Sequence, residues 1–111
     1  MVQTSPAVAQ NRVFQALADP SRRAIFESLT RGESAVKDLT ARFDISQPAV
    51  SQHLAALKQA GLVGNRRAGR QVYYRVEPKG MKPLIDWIAH YRAFWTDHLG
   101  RLEELLETMD R

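Results

Sequence analysis

Gln47, Ser51 and Gln52 sit close together in the chain, and each carries an uncharged group that both donates and accepts hydrogen bonds. A carboxamide can meet adenine bidentately at N6 and N7, and a hydroxyl can bond several base edges, so this set has the chemistry to read nucleotide bases. Arg66, Arg67 and Arg70 flank Gly69 further along, and guanidiniums in such a group suit phosphate oxygens. Ser46 precedes the first set and can cap a helix there, whose N-terminus also attracts phosphate. Taken alone, each set is also what an ordinary solvated helix face or a charged turn looks like. Catalytic chemistry finds less support. Asp38, Ser51 and His53 supply the residue types of a triad, but Ser51 and His53 stand two apart on one helix and point in different directions. The chain has no glycine-rich phosphate loop and no nucleophile elbow, so an enzyme is not expected.

The elements that must position these groups follow from periodicity. Val13, Phe14, Leu17 and Ala18 fall at helical spacing and predict a first helix over roughly residues 7–18. Asp19-Pro20 is a cap followed by proline, which starts a second helix with Ile25, Phe26 and Leu29 inward and Gly32 at its end. Ser34 is expected to cap a short third helix lined by Val36, Leu39 and Phe43. After the connection Asp44-Ile45-Ser46, a fourth helix turns Val50, Leu54 and Leu57 to the core. Pro48, Ser51, Gln52, Ala55 and Gln59 then face away from it, with Gln47 on the flank, and Gly61 closes the helix. Two helices joined by so short a turn form a helix-turn-helix over residues 34–60.

The period then changes. Leu62-Val63 and Val72-Tyr73-Tyr74-Arg75-Val76 read as strands of a hairpin over residues 62–77, with Arg66, Arg67 and Arg70 clustered at its tip. From residue 81 to 110 the sequence predicts one long helix. Leu84, Ile88, Tyr91, Trp95, His98, Leu102, Leu105 and Met109 alternate steps of four and three along it, a heptad seam. Such a helix spans roughly 42 Å, and a stripe that also holds Trp87 and Phe94 is too apolar to stay uncovered, so a homodimer paired through this helix is expected. His98 falls within the seam. It reads either as a hydrogen-bonded histidine or as a group whose protonation weakens the pairing.

Composition sets the outer limits. The 111 residues fit a single domain, 44% hydrophobic and 25% charged, with residues 1–11 as a loose lead-in. Residues 1–80 carry a formal charge of +6 and residues 81–111 one of −2, which assigns the polyanion to the first part and another task to the second. There is no cysteine, hence no disulfide and no thiolate metal site, as suits the cytoplasm. No apolar run approaches the roughly 18–20 residues of a membrane span. Double-stranded DNA and a second copy of the chain are therefore the expected partners, with no membrane, no cofactor and any small effector unspecified. A protein-binding winged helix and a non-specific DNA-coating protein are the rival readings.

The runs Phe14-Gln15-Ala16-Leu17-Ala18-Asp19-Pro20-Ser21-Arg22-Arg23-Ala24-Ile25, Ile45-Ser46-Gln47-Pro48-Ala49-Val50-Ser51-Gln52-His53-Leu54 and Leu57-Lys58-Gln59-Ala60-Gly61-Leu62-Val63 resemble the ArsR/SmtB repressors. The likeness extends from about residue 12 to 77. Tyr91-Arg92-Ala93-Phe94-Trp95 is similar to a subgroup without metal sites. The resemblance implies a mostly α winged helix-turn-helix with a small β-hairpin wing and a long C-terminal dimerisation helix. It also implies a dimeric repressor on a near-palindromic operator, often that of its own operon. Metal-sensing members carry Cys-Val-Cys where this chain has Ala35, Val36 and Lys37, and neither Ala nor Lys replaces a thiolate. Asp86, His90, Asp97, His98 and Glu103 supply ligand types on the last helix, but not at the family's Asp-x-His spacing. No metal is expected.

Overall fold

A computed structural model of the chain describes residues 6–109, except for the Trp95 side chain. Helix α1 (Pro6–Ala18) opens with a proline, whose fixed φ suits a first turn. Six of the eleven lead-in residues are thus already helical; the others lie outside the described residues. Asp19 ends α1's run and caps α2 (Pro20–Leu29) by accepting the Arg22 backbone N–H at 2.9 Å.

Ser34 does not cap the third helix. Ser34 and Ala35 form a short strand, β1, antiparallel to β3 (Gln71–Val76), with Ser34 opposite Tyr74 and Ala35 opposite Tyr73. Helix α3 (Val36–Arg42) starts only after it, with Ala35 at a cap that lacks any side-chain hydrogen bond. The Ser34 hydroxyl instead accepts from Arg42 Nη1 at 3.1 Å, and the same nitrogen donates to Ser28 at 3.0 Å. One guanidinium therefore ties α3 to both α2 and β1.

Ser46 does cap α4 (Gln47–Gln59), accepting the Ala49 N–H at 3.2 Å. At the other end Gly61 has φ +80°, the Gly61 N–H donates to Lys58 O, and the Leu62 N–H donates to Leu57 O. These bonds satisfy carbonyls that the helix end would leave unpaired. They also turn the chain into β2 (Val63–Ala68), which pairs antiparallel with β3 from Val63–Val76 to Ala68–Gln71. The sheet order is β1-β3-β2. Val13, Ile25, Leu39, Val50, Leu54, Leu57 and Leu62, drawn from α1 through the start of the wing, are buried completely or almost so in one core.

The single C-terminal helix of the sequence reading is divided. A 3-10 turn (Pro78–Met81) leads into α5 (Lys82–His90), and α6 (Arg92–Met109) follows. Between them Tyr91 leaves helical geometry at φ −103° and ψ 13°, and its N–H donates to Ile88 O, three residues back. Aromatic contacts anchor α5 beside the break. Phe14 on α1 meets Trp87 edge-on at 5.4 Å, Trp87 meets Tyr91 at 5.2 Å, and Tyr91 meets His90 at 4.8 Å. These rings fasten α5 to α1, and α6 starts after Tyr91. The radius of gyration is 17.9 Å, where a compact domain of this size has about 13 Å, so the C-terminal part projects from the body.

Candidate nucleic-acid interface

Helix α4 is amphipathic in a specific sense. Val50, Leu54 and Leu57 are fully buried, while Gln47, Pro48, Ser51, Gln52, Ala55 and Gln59 are exposed. The buried row fixes the helix rotation, so the exposed row is presented by rigid backbone. The charged residue exposed on α4, Lys58, stands in its last turn, away from the Gln47–Gln52 end. Ser46 uses an oxygen lone pair on the Ala49 N–H and keeps its own O–H to donate. Pro48 has no N–H, so the Gln47 N–H is the first-turn donor left for an anion, aided by the helix dipole.

His53, between these residues and the core, is half-buried, and its Nδ1 is enclosed with no hydrogen-bond partner among the described residues. It acts electrostatically on Asp19. The Arg22 backbone N–H holds the Asp19 carboxyl below the usual carboxylate range, burial opposes this, and charge on His53 and Arg22 adds to the lowering.

The wing is fastened to α4 and to the α2–β1 loop. Lys58 Nζ donates to Asn65 Oδ1 at 3.1 Å, joining the helix to β2. The three wing arginines do not cluster at the tip. Register places Arg66 opposite Tyr73 and Arg67 opposite Val72, within the stem, and only Arg70 lies in the turn beside Gly69, where φ is +61°. The alternation of a strand then separates Arg66 from its neighbour. Arg66 lies over the Tyr73 ring at 4.8 Å and holds Glu33 by Nε and a terminal nitrogen, the latter at 2.6 Å. That bond and the Arg66 charge lower the Glu33 pKa, and the same bond with the Glu33 charge raises the Arg66 pKa. Arg67 and Arg70 are exposed and enter no ion pair among the described residues. Lys58–Asn65 and Glu33–Arg66 join segments far apart in sequence, and no periodicity announces either pair.

Residues 19–64, which hold the helix-turn-helix, match the model of the bacterial regulatory protein arsR family. The chain is 42% identical over 98 residues to the HTH-type transcriptional regulator Rv2034 of Mycobacterium tuberculosis, covering 88% of this chain and 89% of that protein. The chain belongs to the ArsR family. It is 36% identical to the transcriptional repressor SdpR of Bacillus subtilis over 73% of its length and 90% of SdpR's. The crystal structure of another ArsR family transcriptional regulator, 31% identical, superposes with a TM-score of 0.73 over 86% of this chain and 97% of its own. The fold is accordingly a winged helix-turn-helix, and the protein is a DNA-binding transcriptional regulator rather than an enzyme.

The metal positions of ArsR relatives do not fit a metal here. Ala35 is buried in β1, and Lys37 is an exposed ammonium. Asp86 is paired with Lys82 at 2.7 Å and Asp97 with Arg101 at 3.0 Å, while His98 Nδ1 donates to Phe94 O at 2.9 Å. Among the described residues no three His, Asp or Glu side chains converge. No helix among them is long and apolar enough to cross a membrane.

The expected seam is also redrawn. Leu84 is half-buried against the domain's own core. Ile88, Tyr91, His98 and Leu102 are exposed, and the Trp95 side chain lies outside the described residues. Ile85, Leu99 and Leu106, which the four-and-three spacing omits, are each more than half exposed and join the apolar face.

Proposed function

We propose that the protein is a homodimeric repressor that binds a near-palindromic operator, including one at its own gene. The observation that carries this reading is the exposed, uncharged row on α4, held rigid by a buried row and flanked by a basic hairpin. In this reading Gln47, Ser51 and Gln52 contact base edges in the major groove. The Ser46 O–H and the Gln47 N–H meet a phosphate, and Arg67 and Arg70 contact the backbone beside them. Arg66, held by Glu33 in the stem, meets phosphate only when it leaves that carboxylate.

The dimer reading rests on apolar surface. Ile85, Ile88, Tyr91, Phe94, Leu99, Leu102, Leu105, Leu106 and Met109 are each 41–71% exposed along α5 and α6. A patch of this extent marks an interaction site. Leu102 and its neighbours, with Ile88, Tyr91 and His98, are the surface assigned to the second copy. Two copies related by a two-fold axis present their α4 helices to half-sites about 34–36 Å apart.

Footprinting on DNA upstream of the protein's gene, with sedimentation of the free protein, tests the reading. Two protected half-sites about one helical turn apart and a two-chain species support it. A lone subunit at micromolar concentration that retards no duplex in low salt overturns it.

A further inference from the structure

On the side of α1 away from Phe14, a cavity of about 430 Å³ opens between α1, the start of α2 and the end of α4. Arg12 and Gln15 from α1, Arg22 from α2 and Gln59 from α4 line it. Ala16, Ala56 and Ala60 supply short apolar walls, which is why the space exists. No carboxylate lines the cavity, and no ion pair to Arg12 or Arg22 forms among the described residues. Asp19 spends its carboxylate on the Arg22 backbone N–H instead. Among the described residues Arg22 Nη1 reaches the Gln15 carbonyl, at 3.5 Å, and Arg22 Nε is buried with no acceptor. An enclosed guanidinium nitrogen without a partner is uncommon in native proteins and calls for a reason. Two cations, two carboxamides and a small apolar wall form a site with a definite complement.

We propose that this cavity binds a small organic anion, its carboxylate or phosphate between Arg12 and Arg22 and its apolar body against Ala16, Ala56 and Ala60. The volume lies within the range of small-ligand sites and far exceeds a water's share of about 30 Å³. Guanidiniums suit either oxyanion through charge-assisted, paired N–H donors. Gln59 and Ala56 belong to the same helix as Gln52, so an occupant touches the helix that presents the exposed row. The inference does not depend on that row reading bases.

Phenyl phosphate, titrated in the absence of DNA and followed through the alanine methyl resonances of Ala16, Ala56 and Ala60, tests it. Saturable shifts below about 10 mM are expected, absent with phenol and weakened about tenfold in Arg12→Gln. Lys37→Gln, which removes an exposed cation of α3 instead, should bind like the parent. Circular dichroism confirms that the variants fold, and Arg22→Gln provides a second variant if Arg12→Gln does not. No saturable shift, equal binding by Arg12→Gln, or equal binding of phenol overturns the proposal. So does a response of these methyls to duplex DNA but not to phenyl phosphate, which would make the arginines a backbone contact.

Discussion

Arg66, in the wing, and Glu33, in the loop before β1, are joined side by side, with both Arg66 Nε and a terminal nitrogen donating to the carboxylate. The pair competes with any phosphate for the same guanidinium. Glu33→Gln should therefore free Arg66, tighten binding to random duplex, and steepen the salt dependence by up to about one unit of log–log slope per subunit. Arg66→Ala should not produce that gain. Retardation assays across a salt series read both.

The same pair has a pH signature. The Glu33 pKa is depressed in the folded state by Arg66, so its stabilisation is present above the ordinary glutamate value of 4.5 and is lost as pH falls through the lower folded value. Urea unfolding of parent and Glu33→Gln should differ slightly at neutral pH and converge in acid below that window. The difference stays small because both side chains are solvent-exposed. A gap that widens in acid would refute the assignment.

Gly80 lies against the turn that joins α4 to the wing, where an added Cβ would fall 1.8 Å from Gly61 O, a backbone atom that cannot step aside. Gly80→Ala should cost about 1–3 kcal/mol through forced displacement. Gly61→Ala meets open space but must hold φ +80°, a cost of about 1–2 kcal/mol. Chemical denaturation of both variants checks this, and an unaffected Gly80→Ala would mean the C-terminal segment does not pack there.

Local rules carried most of the sequence reading. Asp19, Ser46 and Gly61 mark helix ends that depend on neighbours within four residues, and the structure has each in that role. What escaped were features set by distant partners. Ser34 looked like a cap because its strand is two residues long and its partner, Tyr74, is forty positions away. The break at Tyr91 falls within an apolar spacing that runs on unbroken, beside an edge-on contact of Trp87 with Phe14 on α1 that no local rule announces. The spacing of the wing arginines carries no strand register, and register is what places Arg66 on Glu33.

Leu102 and Leu106 on α6 are about half exposed, whereas Leu54 on α4 is fully buried. Substituting Leu102→Glu with Leu106→Glu should leave the helical spectrum intact and yield a single-chain species in sedimentation, with weaker operator binding. Leu54→Ala should instead cost about 2–5 kcal/mol of stability. A two-chain species surviving in the double variant would place the pairing surface elsewhere.

Gln52 and Arg70 separate base reading from backbone contact. Gln52 stands on the rigid exposed row of α4, where a carboxamide–adenine pair discriminates against the wrong base by about 1–3 kcal/mol. Gln52→Ala should therefore narrow the gap between operator and random DNA while leaving the salt slope unchanged. Arg70, exposed in the wing turn, contributes charge without sequence information. Arg70→Ala should weaken both duplexes by a similar factor and reduce the slope by about one per subunit, since each lost phosphate contact releases fewer counterions. Competition binding with both duplexes over a range of salt distinguishes the two effects. If both variants lowered affinity for operator and random DNA equally, with the same change of slope, α4 would be a phosphate contact and the bases would be read elsewhere.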